Sequence, residues 1–349
     1  MKFLRSLIPT FFMILCFVLS SPITVQAQQF EHGGEYMDYL FGDHPQYQQS
    51  LWSYIKASAH SKNARKVEKR RRELVSTAYN IKKKVSRLVP YEGDASLRDA
   101  LATYFDLTYK VLKEDYAKIV DMEAIAEESY DAMEAYILAK EKANDKVDEA
   151  GEQLEAAQQT FAAAHNIELV TKASDTGKKL EEASSVYHYY NQLYLIFFKS
   201  YKQEAYLLTA LEANDVNALI QNQNSLKSYA LEGLSKLDTF PKYKDDATII
   251  AAGKEVMNFY LNEADEKVPV LANLYLMQDN MEKVQASFET IQPAKRTQGD
   301  VDKYNKAVAD YNEAVNNYNT TIQTLNKDRA KLLDNWNKTT DQFIDRHIP

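Results

Sequence analysis

The stretch at residues 304–319 reads YNKAVADYNEAVNNYN and places Tyr304, Tyr311 and Tyr318 seven residues apart. Beyond it, mainly apolar residues continue in steps of four and three through Trp336 to Phe343. A mean step of 3.5 residues keeps such positions on one face of a slightly underwound helix. The stretch therefore predicts a long helix whose tyrosine seam packs against a neighbouring helix.

An asparagine follows each tyrosine of this seam, at Asn305, Asn312 and Asn319. Amides in such a row could bond to hydroxyl or carbonyl groups on a facing helix, which would make the row a ladder that grips a partner. The row could also be the polar edge of an ordinary bundle helix. The periodicity indicates a packed helix first and an interaction surface second.

The composition of the whole chain is typical of a helical protein. Its 349 residues include only nine Gly and eight Pro, whereas residues that favour helices are plentiful. Each of the 24 tyrosines has an apolar ring and a polar tip, which suits half-buried helix surfaces. We predict an all-α protein that forms an elongated antiparallel helical bundle.

Short polar or proline-containing segments interrupt the helical pattern at 90–94 (PYEGD), 165–177, 241–246 (PKYKDD) and 293–300. Residues 28–45 contain three glycines and a proline, and we interpret them as a loosely ordered lead-in. The rest divides into a first helical bundle unit at 46–170 and a second at 171–349, which ends in the seam helix.

The two units are predicted to be related by internal duplication. Residues 74–100 and 226–252 share eight identities in 27 positions at an offset of 152. The identical pairs are Leu74/Leu226, Ser76/Ser228, Ala78/Ala230, Lys84/Lys236, Tyr91/Tyr243, Asp94/Asp246, Ala95/Ala247 and Ala100/Ala252. In both copies the aspartate stands where it can cap the next helix.

The first 27 residues have the three parts of a secretory signal peptide. Lys2 and Arg5 form the positive region, residues 7–19 the apolar core, and residues 25–27 a small-residue cleavage site. Cys16, the only cysteine, lies in that core, so the processed chain has no thiol chemistry. We expect an exported protein, periplasmic or on the surface of a diderm bacterium, without a transmembrane span after signal removal.

Several chemistries are disfavoured by the sequence. A formal net charge of -8 makes the chain a poor nucleic-acid binder. The six histidines form neither His-x-x-x-His nor Glu-x-x-His pairs, so we predict no metal. Nucleophile-elbow, phosphate-loop and dinucleotide motifs are also missing, and we predict no cofactor, no catalytic residue and no enzymatic activity.

A basic segment at 61–87 holds eleven Lys and Arg against two Glu, whereas 122–155 holds eleven acidic residues against three Lys. We expect the two segments to face or flank each other, because each screens the self-repulsion of the other. Alternatively, the basic side chains contact anionic lipid or acidic polysaccharide. The candidates for that contact are Arg70, Arg71, Arg72, Lys82, Lys83 and Lys84.

The run at 186–206 (VYHYYNQLYLIFFKSYKQEAY) is the most aromatic part of the chain. It is typical of a central helix buried on several sides. It could instead line a groove for a small ligand or a glycan. The residues that would line such a groove are Tyr190, Tyr194, Phe197 and Tyr201, and their burial distinguishes the two interpretations.

Three stretches resemble an uncharacterised family of predicted bacterial surface proteins first labelled in Leptospira. They are 120–136 (VDMEAIAEESYDAMEAY), 194–204 (YLIFFKSYKQE) and 336–349 (WNKTTDQFIDRHIP). The resemblance implies an exported helical protein of the cell envelope and carries no active site. The tyrosine–asparagine heptads are similar to those of LemA-type helical bundle proteins, over the C-terminal helix only.

The sequence thus favours an exported, non-catalytic envelope or surface protein that binds a protein or an envelope component through helical faces. The alternative is a small-ligand or glycan-binding protein with a tyrosine-rich groove.

Overall fold

The computed structural model describes residues 30–61, 63–116, 122–123, 125–170 and 174–348. The predicted signal peptide at 1–27 lies outside these residues. Throughout the described ranges the regular structure is helical and no strand is present, which confirms the all-α prediction. No helix within them is long and apolar enough to cross a bilayer.

Where the structure describes a connection between helices in full, it is a short loop or a single π-helical turn. In chain order the α-helices are α1 (Gly33–Phe41), α2 (His44–His60), α3 (Ala64–Val85), α4 (Ser96–Lys110), α5 (Tyr130–Ala164), α6 (Asp175–Glu212), α7 (Val216–Thr239), α8 (Thr248–Asn262), α9 (Val268–Thr290) and α10 (Gln298–His347). A π turn, Val111–Asp115, continues α4, and a second, Glu263–Lys267, joins α8 to α9.

The chain folds into two compact units. Unit 1 is Met1–Asn191 with Ile344–Pro349, and unit 2 is Gln192–Phe343. In unit 1, α3 packs against α2 and α4, and α4 packs against α5. In unit 2, α7 packs against α8, and both contact the second π turn. This division falls inside α6 and therefore differs from the boundary predicted between 170 and 171.

The two units repeat the same elements at the predicted offset of 152 residues. Helices α3 and α7 begin at equivalent positions, and α4 and α8 agree at both ends. The π turns that follow α4 and α8 also coincide. Because π turns are rare in helices, their recurrence at one register supports a duplicated unit.

The loops before α4 and α8 are built alike. Tyr91 and Asp94 exchange two backbone hydrogen bonds of 3.1 and 2.8 Å, and Tyr243 and Asp246 exchange two of 3.2 and 2.8 Å. The Oδ1 atom of each aspartate accepts a 2.8 Å hydrogen bond from the first amide of the following helix. The predicted capping is confirmed, because these carboxylates satisfy amides that have no partner inside the helix.

The loosely ordered lead-in predicted at 28–45 is wrong for its described part. Residues Gly33–Phe41 form α1, and Tyr36 and Leu40 are buried on it. Pro45 lies in the first turn of α2, where its missing amide hydrogen would have no partner anyway. At Gly33 a Cβ atom would lie 3.1 Å from side-chain atoms of His165 and Ile167, so the glycine allows close packing.

Helix α10 is 50 residues long and has the predicted seam. Trp336 is 2 % exposed, and its ring stacks on Phe197 with centroids 4.3 Å apart. The three seam tyrosines Tyr304, Tyr311 and Tyr318 are half-buried, and Tyr304 stacks on Phe288 of α9 at 4.8 Å. The seam therefore packs within the chain.

The most buried residues between the seam tyrosines are alanines, each one position before a valine that the steps of four and three place in the seam. Ala307 and Ala314 are buried, whereas Val308 and Val315 are only half-buried. A large ring thus alternates with a small side chain, which lets two helices approach closely. The asparagines of the second row, Asn305, Asn312, Asn319 and Asn326, are exposed.

Candidate functional site

The lysine candidates at the end of α3 are mostly engaged in ion pairs. Lys82 pairs with Asp106 of α4, and Lys84 Nζ lies 2.9 Å from Asp43 Oδ2. Lys83 is exposed to solvent. Helix α4 packs against both the basic helix α3 and the acidic helix α5. The counter-charges of these lysines therefore come from α4 and from the start of α2, not from the acidic segment as expected.

The arginine candidates lie nearer the start of α3 and differ in exposure. Arg70 pairs with Glu73 at 2.7 Å. The side chain of Arg71 is only 19 % exposed, whereas that of Arg72 is 76 % exposed. Both Arg71 and Arg72 donate to Glu68, from Nε at 2.8 Å. Arg71 is thus a structural residue, and Arg72 presents its charge to solvent.

Arg71 donates a hydrogen bond to the backbone of the first π turn. In a π turn the backbone hydrogen bonds skip one residue, so a carbonyl is left without its usual helical donor. Nη1 of Arg71 donates to the carbonyl oxygen of Leu112 at 2.8 Å. At the equivalent place in unit 2, Nε2 of Gln223 donates to the carbonyl oxygen of Ala264 at 2.6 Å. Both contacts join residues at the same offset of 152, so the repeat extends to side-chain chemistry.

A cleft of about 340 Å³ opens between α3 and the end of α4. Its walls combine cationic groups with aromatic rings. The lining residues are Arg71, Arg72, Val75, Ser76, Tyr79, Tyr109 and Lys113. Ligand sites in proteins are concave and have a few polar groups at fixed positions, so this cleft is the candidate binding site.

The charged side chains that line the cleft are all positive, whereas most of its surface is apolar. Hydrogen bonds from Arg71, and next from Arg72, lower the pKa of Glu68 to about 2, so this carboxylate stays ionised and balances one cation. Lys113 donates to the hydroxyl oxygen of Tyr109 at 2.8 Å, and this bond raises the pKa of its ammonium group. Arg71 and Arg72 share the single negative charge of Glu68, so the three cations and this carboxylate together have a net charge of about two, and an anion is the ligand that the cleft would favour.

Sequence reasoning found Arg71 and Arg72 but missed Tyr79 on the same helix and the wall that α4 and its π turn contribute. Tyr79 is 44 % exposed, and its ring centroid lies 5.3 Å from that of Tyr109. Lys113 lies in the π turn, which changes the direction of the side chains that follow α4. No local signal marks a π turn in the sequence, so the approach of Lys113 and Tyr109 to α3 was not predictable from spacing.

Unit 2 has a different surface at the equivalent positions. Leu231 and Leu261 replace the two tyrosines, and Asn224 replaces Arg72. Lys227 and Asp265 form an ion pair of 2.7 Å where unit 1 has Val75 and Lys113. Since the helices keep the same register, the fold does not require the cationic and aromatic side chains of the cleft.

No family model, curated protein or solved structure matches the chain. The family resemblance of the three quoted stretches therefore stays a prediction. Within the described residues no group of three or more His, Cys, Asp or Glu side chains is placed to hold a metal ion.

The aromatic residues proposed for a groove are mostly core residues. Tyr190, Tyr194 and Phe197 are 5 %, 0 % and 3 % exposed. Phe197 lies between the rings of Trp336 and Tyr201, at centroid distances of 4.3 and 5.4 Å. Tyr201 is half-buried. Rings with so little exposure line no open groove, and the interpretation as a central buried helix agrees with their positions.

A buried ionic cluster in unit 2 is the strongest charged feature apart from the cleft. Arg329 of α10 pairs with Glu204 of α6, and its Nη2 atom lies 2.6 Å from Glu263 Oε1. The two carboxyl side chains are 3 % and 0 % exposed. Burial, and next the charge of Glu204, raise the pKa of Glu263 to about 9. The raised pKa favours the protonated form of Glu263 at neutral pH, and both carboxyl side chains are buried.

Proposed function

We propose that the chain is an exported, non-catalytic protein of the bacterial cell envelope that binds an anionic envelope component through the basic cleft beside α3. Export is the expectation from the signal sequence at 1–27. The component carries phosphate or carboxylate groups, as lipid head groups and acidic polysaccharides do. The observation that carries the proposal is the convergence of Arg72 and Lys113 on one concave surface with two tyrosines.

The duplication supports a binding role for these charges. Arg72 and Lys113 are not needed to form the helix ends and π turns, because unit 2 has the same helix ends and π turns with Asn224 and Asp265 at these positions. The equivalent surface of unit 2 carries an internal Lys227–Asp265 pair. The net positive charge of the cleft in unit 1 is thus not required by the shared fold.

The test is co-sedimentation of the processed chain with vesicles of phosphatidylglycerol and phosphatidylcholine, and retention on immobilised polygalacturonate. Binding to either anionic material is expected at low salt and lost at high salt, because it depends on screened charges. Vesicles of phosphatidylcholine alone should bind nothing. Binding that is indifferent to salt, or no binding to either anion, would contradict the proposal.

Variants in which cleft residues are replaced by the equivalent residues of unit 2 test whether the cleft itself binds the anion. Arg72→Asn with Lys113→Asp changes the net charge by three and should weaken anion binding about tenfold or more, since each cation near an anionic surface contributes ~1 kcal/mol. The matched control is Lys331→Asn with Lys327→Asp, which makes the same charge change at exposed positions of α10. Equal losses in both variants would mean that net charge, not the cleft, causes the binding.

A further inference from the structure

A ligand in the cleft can contact aromatic rings as well as positive charges, because the rings of its two tyrosines lie at an angle to each other. The planes of Tyr79 and Tyr109 meet at 46°, with centroids 5.3 Å apart. Rings at this angle do not cover each other's faces as stacked rings do. One ring face can therefore receive a flat ligand while the other ring contacts its edge.

Lys113 places a cation at the rim of one of these rings. Its Nζ atom lies 2.8 Å from the hydroxyl oxygen of Tyr109 and 5.2 Å from the ring centroid. Because that oxygen accepts the ammonium hydrogen, the hydroxyl proton of Tyr109 points elsewhere and can donate to a ligand. The ring face of Tyr109, its hydroxyl donor and the ammonium group of Lys113 thus lie close enough together to contact one sugar unit.

We infer that the ligand of the cleft is an acidic sugar, a saccharide unit that carries a carboxylate or a phosphate; this presupposes the proposed function and narrows it. The C–H groups on one face of a sugar ring carry partial positive charge and pack on the negative face of a tyrosine. The sugar hydroxyls accept from the Tyr109 hydroxyl, and the acidic group pairs with Arg72 and Lys113.

The size of the cleft agrees with a discrete ligand. Its volume of about 340 Å³ is near the lower end of the range of about 300–1,000 Å³ for ligand sites. Binding to a flat membrane surface would depend chiefly on the exposed cations of α3, whereas a sugar ring would also stack on the tyrosines. Replacing the tyrosines should therefore weaken sugar binding more than vesicle binding.

The experiment compares four probes on the processed full-length chain by calorimetry or sedimentation. Trigalacturonate and glucose 6-phosphate test the two acidic groups, maltotriose tests a neutral sugar, and phosphatidylglycerol vesicles test a lipid surface. At least one acidic sugar should bind, and maltotriose should bind about tenfold more weakly or not at all, because it lacks the charge-assisted bonds.

Two variants separate the aromatic contribution from the charge. Tyr79→Leu with Tyr109→Leu copies Leu231 and Leu261 of unit 2, so a folded protein is expected, and circular dichroism checks it. This variant should lose about tenfold in affinity for the acidic sugar and bind vesicles as the parent chain does. Tyr109→Phe keeps the ring and removes the hydroxyl donor, and it should lose less.

The outcomes distinguish a failure of the acidic-sugar inference from a failure of the anionic-envelope proposal. If vesicles bind and neither acidic sugar does, or if the double leucine variant binds the sugar as tightly as the parent, the acidic-sugar inference is wrong and the anionic-envelope proposal stands. If maltotriose binds as tightly as the acidic sugars, charge has no role in sugar binding and the acidic-sugar inference is wrong; if, in addition, vesicles do not bind, the anionic-envelope proposal is wrong as well. If none of the four probes binds, both are wrong as well.

Discussion

Replacing Glu263 by glutamine should flatten the dependence of unit 2 stability on pH above neutrality. In the folded chain burial and the neighbouring Glu204 raise the pKa of Glu263 to about 9, from an ordinary value of 4.5. Between these two values the folded state holds a proton that the unfolded state has lost. The free energy of unfolding therefore falls as the pH rises through this window.

The expected magnitude follows from one proton. Full linkage of one proton changes the free energy of unfolding by about 1.4 kcal/mol per pH unit, so up to about 2.7 kcal/mol is lost between pH 7 and pH 9. Arg329, which lies 2.6 Å from the Glu263 carboxylate, favours the ionised form and makes this figure an upper value. Asp148, whose pKa burial raises to about 7, titrates mainly below this window.

The assay is urea unfolding at pH 7, 8 and 9, followed by tryptophan fluorescence. The chain has two tryptophans, and in a Trp52→Phe background only Trp336 reports, from the core of unit 2. The parent should lose stability steadily over this range, whereas Glu263→Gln, which stays neutral, should lose much less. The control Asp148→Asn should keep the slope of the parent. An equal slope in the parent and in Glu263→Gln would refute the assignment of the proton to this cluster.

Three further substitutions test packing and charge elsewhere. Asp148→Asn should raise the stability of unit 1 at pH 8 by about 2 kcal/mol in urea unfolding, because the parent must ionise a carboxyl group that burial disfavours. Ile348→Ala removes a side chain that is 0 % exposed and should cost unit 1 about 2–4 kcal/mol, measured the same way. Gly233→Ala would place a Cβ atom 2.6 Å from Sδ of Met257 and should lower unit 2 stability by about 1–3 kcal/mol, and Met257→Ala should remove that penalty.

The breaks between helices were predicted correctly where proline or glycine marks them. They were missed where the next helix begins at a polar capping residue. The loops at 90–94 and 241–246 were predicted from proline, and both are present. Breaks before α3, α5 and α7 were missed. There the side chains of Asn63, Ser129 and Asp215 accept hydrogen bonds from amides of the first turn. Such residues are common on helix surfaces, so their capping role emerges only in three dimensions.

Only the α3 side of the candidate cleft was predictable from the sequence. The charge run of α3 identified Arg71 and Arg72, but Tyr109 and Lys113 approach them through packing of α4 on α3. In the same way, Arg329 is a charged residue at a position where the steps of four and three along α10 predict an apolar one, and its neighbours in sequence do not explain it. Its partners Glu204 and Glu263 lie 125 and 66 residues away in sequence, and periodicity within one helix carries no information about them.

Unit 1 takes its last six residues from the far end of the chain, and Nδ1 of His60 lies 2.7 Å from Asp345 Oδ1 across 285 positions. A ribosome releases residues in order, so every residue of unit 2 emerges before Ile348 can occupy its buried place. A chain cut before residue 344 would therefore keep all of unit 2 but leave a gap in the core of unit 1. Unit 1 can complete its core only after unit 2 has been synthesised, although most residues of unit 1 come first in the chain.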